Sequence, residues 1–208
     1  MIIRALAVGP MMSNCFILGC DRTKEAVVID PGDDVDRILH MLAESKLKVK
    51  YIVNTHGHFD HVGGNKRQKD VTGAELLIHA GDAPMLEGAA SSAASMGMRT
   101  EASPAPDRLL EDGDTLTVGD ITLTVIHTAG HSAGGICLHT DGILFAGDTL
   151  FAGSIGRTDF PGGNHELLLS NIREKLYPLG DDIRVFTGHG PETTIGRERR
   201  FNPFVNDL

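Results

Sequence analysis

Apolar positions along the chain switch between two periods. Alternation or a short unbroken apolar run recurs at Ala26–Asp30, Val49–Val53, Ile121–Ile126, Gly142–Gly147 and Ile183–Gly188, and each reads as a strand. After Pro31 and Gly32, which end the first of these, Val35, Ile38, Leu39 and Leu42 recur at helical spacing, with Asp33 and Asp34 near the helix start. Leu167, Leu168, Ile172 and Leu176 repeat that pattern ahead of the last strand. The Ala/Ser/Met-rich stretch from Ala89 to Met98, followed by Pro104 and Pro106, lacks a strong period and predicts a helix leading into a loop. A plain connector is expected there, and a lid over a site is the alternative. Strands alternating with helices predict an α/β fold in which both amphipathic helices cover a central sheet.

The ends of these strands carry the chemistry. Thr55-His56-Gly57-His58-Phe59-Asp60-His61 follows the strand at Val49–Val53 and would release its side chains into a loop, where catalytic residues usually sit. His56 and His58 can reach one ion from the same extended stretch, while Asp60 and His61 have moved on round the turn toward a second. His131 follows the strand at Ile121–Ile126 and is the expected third ligand of the first ion. Asp148 ends the run Gly142–Gly147, and its two oxygens can bridge two cations. His189, in Thr187-Gly188-His189-Gly190-Pro191, supplies the second ion's remaining imidazole.

Length and composition agree with a compact enzyme. The chain's 208 residues suffice for one α/β domain with a substantial core, and its 41% apolar content is ordinary for a globular protein. No apolar stretch approaches the roughly 20 residues needed to span a bilayer, and the N-terminus lacks the pattern of a secretory signal, so no membrane partner and a cytoplasmic location are expected. Cys15, Cys20 and Cys137 lack zinc-ribbon spacing and read as ordinary reduced side chains. A formal charge of -9 repels polyanions and argues against a nucleic-acid substrate. The basic group Arg197, Arg199 and Arg200, diluted by Glu198, reads as a solvated or salt-bridged surface.

Through T-H-G-H-F-D-H, the later His131 and Asp148, and G-H-G around His189, the chain resembles the metallo-β-lactamase-fold superfamily over nearly its whole length. More narrowly, Gly147–Phe151, Gly156–Gly163 and Thr193–Arg199 with Asn202-Pro203-Phe204 resemble short bacterial glyoxalase II-like hydrolases. The resemblance implies a four-layer αβ/βα sandwich, and one domain over 1–208 without the C-terminal helical domain of two-domain glyoxalase II enzymes. It assigns His56, His58 and His131 to one metal and Asp60, His61 and His189 to the other, with Asp148 shared. It also implies two divalent ions, zinc foremost, with iron and manganese compatible with the same donors. β-Lactamases usually carry cysteine where Asp148 stands, which argues against antibiotic hydrolysis; flavodiiron proteins carry glutamate at the place of His58.

The expected reaction is hydrolysis of a small-molecule, glutathione-derived thioester such as S-D-lactoylglutathione. A metal-activated water, its pKa lowered to roughly 7, would attack the carbonyl with Asp60 orienting it. Net positive charge at the centre would stabilise the oxyanion. Arg157, in the loop after Asp148, can clamp a substrate carboxylate, with an internal salt bridge to Asp159 as the alternative. The other five histidines, His40, His79, His127, His139 and His165, read as structural or exposed, with His127 and His165 the leading candidates among them for a place behind the ligands or in the pocket. The competing readings are an iron-dependent glutathione persulfide dioxygenase of the same fold, using His56, His131 and Asp148, and a non-catalytic metal-binding scaffold.

Overall fold

The computed structural model describes residues 1–206 and contains two six-stranded sheets. The first runs in chain order through β1 (Ile2–Val8), β2 (Ser13–Gly19), β3 (Glu25–Ile29), β4 (Lys48–Val53), β5 (Glu75–His79) and β6 (Arg108–Leu110). The β1–β2–β3 pairings are antiparallel and those from β3 to β6 parallel. The second sheet begins with an antiparallel meander of β7 (Thr115–Val118), β8 (Ile121–His127), β9 (Ile136–Thr140) and β10 (Ile143–Gly147). A hairpin of β11 (Leu150–Phe151) and β12 (Ser154–Ile155) follows. β13 (Arg184–Thr187) then returns parallel to β10, and β14 (Thr193–Thr194) closes the edge.

Side-chain alternation turns two sheets into four layers. Phe16, Leu18, Val27, Ile29, Val53 and Leu77 of the first sheet meet Leu123, Val125, Leu138, Phe145 and Phe186 of the second in a shared interior. The Phe16, Phe145 and Phe186 rings lie 5.3 to 5.4 Å apart. The intervening residues Ile17, Val28, Ile52, Leu76 and Ile78 point the other way, toward α1 (Val35–Glu44) and its neighbours. Cys137, Leu144, Ala146 and Val185 do the same on the second sheet, against Leu168 and Ile172. This is the αβ/βα sandwich, and it corrects one expectation: the two amphipathic helices lie on opposite outer faces, because each sheet needs its own cover.

Among the described residues five further α-helices complete the layers: α2 (Phe59–Val62), α3 (Asn65–Thr72), α4 (Ala83–Ser95), α5 (His165–Asn171) and α6 (Ile195–Phe201). Asn164 caps α5 and Thr194 caps α6, each accepting a backbone N–H three residues on. α5 runs into a widened π turn at Ile172–Leu176. Leu168, Ile172 and Leu176 are fully buried, whereas Leu167, expected on the same stripe, is exposed. A strict four-residue spacing drifts on a 3.6-residue helix, and the wider turn keeps these three on one face. α4 begins at Ala83, six residues before the Ala89 boundary read from sequence, with Pro84 in its first turn.

Cys15, Cys20 and Cys137 are buried and unbridged. Arg199 and Arg200 both pair with Asp181, so the basic group is salt-bridged. Among the described residues no helix is long and apolar enough to cross a membrane.

Candidate metal centre

The parallel strands β3, β4, β5, β10 and β13 all end at one rim of the sandwich, and the seven residues expected to ligate metal converge there. The two sheets are stitched together at that rim. Asn14 N donates to Gly188 O (2.7 Å), and Ser13 forms an isolated bridge with His189. An irregularity in the β10–β13 register between Phe145 and Gly147, together with φ +48° at Gly147, re-aims the chain just before Asp148. A Cβ on Gly188 would lie 2.1 Å from Asp148 Oδ1, so glycine is required beside that carboxylate.

Two clusters form. His56, His58 and His131 bring their rings together with centroids 4.6 to 4.8 Å apart, and His58 Nδ1 lies 2.9 Å from His131 Nε2. His61 Nε2 lies 3.2 Å from His189 Nε2 and 3.5 Å from Asp60 Oδ2, and His189 Nε2 lies 3.2 Å from that same oxygen. Each group can hold a metal ion. Asp148 stands between them, with Oδ2 3.5 Å from His131 Nε2 and Oδ1 3.5 Å from His61 Nε2.

Neighbouring groups fix which nitrogen of each ring faces inward. The Arg157 carbonyl can only accept, so His131 Nδ1 carries a proton toward it (2.7 Å) and presents the Nε2 lone pair to the cluster. Asp30 Oδ2 does the same for His61 Nδ1. Thr55 Oγ1 lies 3.1 Å from His56 Nδ1 and donates in turn to Asp30 Oδ2 (2.6 Å).

Two buried polar atoms at this rim, His56 Nε2 and Asp148 Oδ1, have no hydrogen-bond partner among the described residues. Unpaired buried groups of this kind are costly, and two acceptors aimed into adjoining clusters fit a pair of cations. The charge balance agrees. Burial holds His56 well below the usual imidazole range, and burial with His131 and His61 nearby pulls His58 down to about 3. Burial opposes charge on His61 as well, yet Asp148, Asp60 and Asp30 raise it to about 10. Burial raises Asp60, but His61 and His189 outweigh it and hold the carboxyl below its ordinary value. His56 and His58 are thus held neutral in one cluster, and the Asp60 carboxyl stays ionised in the other.

Sequence reasoning missed two supporting acids. Asp30, 1% exposed, also accepts from Thr55 N (2.7 Å). Asp82, fully buried, accepts from Gly57 N (2.9 Å), Ser132 Oγ (2.7 Å) and Gly134 N (2.6 Å), and so holds the His56–His58 loop against the His131 loop. The signal for Asp30 was present: like Asp148, it ends an apolar strand. Asp82 carried none, since its partners are distant in sequence.

A cavity of about 790 Å³ opens over the cluster. Helix α4 and the Met96 beyond it form one side, and the β11–β12 hairpin and Phe160 another. Arg157 lies on this cavity; it makes the salt bridge to Asp159, through Nε and Nη2 at 2.7 Å, and stacks 3.9 Å over Phe160. The C-terminal string supports the same wall. Glu198, 1% exposed, accepts from Gly153 N, Thr193 Oγ1 and Asn202 Nδ2, while Asn202 donates to Ser154 O. His127 and His165 do not border the cavity: His127 instead stacks on His79 at 4.0 Å, at the end of β8. A separate depression of about 590 Å³ beside α1 is lined by paired charges such as Asp36 and Arg67 and lacks the histidine cluster.

Fold and site together define a metallo-hydrolase built on an αβ/βα sandwich. The chain belongs to the metallo-β-lactamase superfamily, whose family model matches residues 8–189. It is 39% identical over 210 residues to hydroxyacylglutathione hydrolase GloC of Haemophilus influenzae, with 99% of both chains covered. A solved structure of the BLEG-1 B3 metallo-β-lactamase superposes with a TM-score of 0.92 at 38% identity, over 98% of this chain and 99% of that one. A second, of TTHA1623 in a di-iron-bound form, gives 0.89 at 34%, over 97% and 99%. These names point to different substrates, and a β-lactamase at that similarity weakens the argument against β-lactams drawn from Asp148.

Proposed function

We propose that this chain is a binuclear metal-dependent thioester hydrolase. The observation that carries the proposal is Asp148 standing 3.5 Å from a ring nitrogen of each cluster while its Oδ1 and His56 Nε2 have no hydrogen-bond partner among the described residues. The likeness to GloC over both full lengths supports a thioester as substrate. His56, His58 and His131 would hold one ion, Asp60, His61 and His189 the other, and Asp148 would serve both. When bound, the ions would supply Lewis acidity and a water of lowered pKa, roughly 7.

The protein's own groups supply the rest. Asp60, kept ionised by His61 and His189, accepts a hydrogen bond from the attacking water and aims it at the carbonyl. The protons on His131 Nδ1 and His61 Nδ1 are directed outward, which keeps the inward nitrogens from blocking the centre. The leaving thiol, with a free pKa near 8.5, needs little protonation, so no separate acid is demanded. Arg157 touches substrate through Nη1, the part of its guanidinium that Asp159 does not engage.

The test combines metal analysis of the purified protein with parallel assays on S-D-lactoylglutathione, a β-lactam, and glutathione persulfide under oxygen. About two metals per chain with thioester hydrolysis supports the proposal. β-Lactam turnover without thioester turnover, or one iron with oxygen uptake, overturns it.

A further inference from the structure

The cavity has a wall that the proposed chemistry leaves unused. Met85 on α4 and Met96 just beyond it, Met11 from the β1–β2 turn, Phe151 and Ile155 from the hairpin, and Phe160 all line it. Met11 and Met96 stand 43% and 46% exposed at its edge. Single exposed apolar side chains are ordinary, but three methionines lining one cavity give it an adaptable apolar surface. The cavity's volume is that of sites that enclose most of a small organic ligand.

Charge points the same way. Among the described residues lining the cavity, Arg157 is the only lysine or arginine, and it already shares two hydrogen bonds with Asp159 and lies on the Phe160 ring. Away from the centre, a ligand with several carboxylates would find at most one free guanidinium edge to pair with. An apolar group would instead cover thioether and aromatic surface that now faces water.

We propose that this site selects thioesters bearing an apolar alkyl or aryl group of several carbons, and that Met85, Met96 and Phe160 receive that group. The proposal rests on the thioester reading above and specifies its substrate class. The apolar group can belong to the acyl or to the thiol half, and the chemistry of the wall is the same for both.

The test has a binding arm and a turnover arm. In the first, S-methylglutathione and S-hexylglutathione, which cannot be hydrolysed, are titrated calorimetrically into the metal-loaded protein and its Met85→Gln, Met96→Gln and Met12→Gln variants. Met12 is exposed and does not line the cavity, so Met12→Gln is the control. Hexyl is expected to bind at least about tenfold more tightly than methyl, and Met85→Gln and Met96→Gln to reduce that ratio several-fold while the control keeps it. In the second arm, kcat/KM is compared for acetyl and hexanoyl thioesters of one small thiol, and for acetyl thioesters of a short and a long alkyl thiol, which separates the acyl from the thiol half. Equal methyl and hexyl affinities, or a ratio that neither variant moves, overturns the inference even if thioesters are hydrolysed. Hexyl preference without hydrolysis of any thioester upholds the apolar wall and removes the thioesterase reading.

Discussion

Asp30 Oδ2 lies 3.0 Å from His61 Nδ1, and both side chains are almost completely buried. The carboxylate therefore sets the tautomer and the orientation of a ring whose other nitrogen faces the centre, and it adds to the charge stabilisation that Asp148 and Asp60 provide. Asp30→Asn removes the charge while keeping the shape. Metal affinity of the cluster containing His61 is expected to fall about 10- to 100-fold, as read by chelator competition, with circular dichroism unchanged. Wild-type affinity in that variant would mean that Asp30 serves only the fold.

Asp82 holds two ligand-bearing loops through three buried hydrogen bonds. Asp82→Ala would strand Gly57 N–H, Gly134 N–H and the Ser132 hydroxyl, each at a cost of about 1 to 3 kcal/mol. A stability loss of several kcal/mol is expected in denaturant titration, along with reduced metal content. A loss below about 1 kcal/mol would show that water replaces the carboxylate without penalty.

In the metal-free chain His61 is raised to about 10 from 6.5. The folded state holds that proton more tightly than the unfolded one, so the ring's contribution to stability is complete below pH about 6.5 and fades as pH rises through about 10. Ligation needs a neutral ring, so metal uptake at pH 8 is expected to expel a proton, visible as a calorimetric enthalpy that depends on the buffer's ionisation enthalpy. An enthalpy independent of buffer would contradict this assignment.

Gly188→Ala places a methyl 2.1 Å from Asp148 Oδ1. Asp148 must move off its position between the clusters, so metal occupancy and hydrolysis are expected to fall at least about tenfold while the apolar interior stays intact. Normal occupancy and activity would show that the bridging position tolerates displacement.

Strand ends were the readable part of this sequence. His56, His58, Asp60, His61, His131, Asp148 and His189 each follow an apolar run, and the structure brings all seven to one rim. Which face a helix covers was less readable: the α1 and α5 patterns look alike, and only the division of the strands into two sheets separates them. Leu167 escaped the α5 stripe because a π turn leaves no mark in hydrophobic spacing. Asp82 was illegible because its partners, Gly57, Ser132 and Gly134, come from two remote loops. The T-T-I-G-R-E-R string carries a resemblance but no period that shows its physical task, which is to anchor the hairpin beside the cavity through Glu198.

The candidate ligands are divided between the sheets: His56, His58, Asp60 and His61 follow a strand of one, while His131, Asp148 and His189 follow strands of the other. An ion held by both sets would act as a removable rivet between halves of the chain that are otherwise joined at this rim by a few hydrogen bonds, those of Asp82 and Asn14 among them. Its grip grows with the logarithm of free metal concentration. Chelation should therefore speed amide exchange first at this rim, in the loops after β4 and β8, well before the Phe16–Phe145–Phe186 interior begins to open.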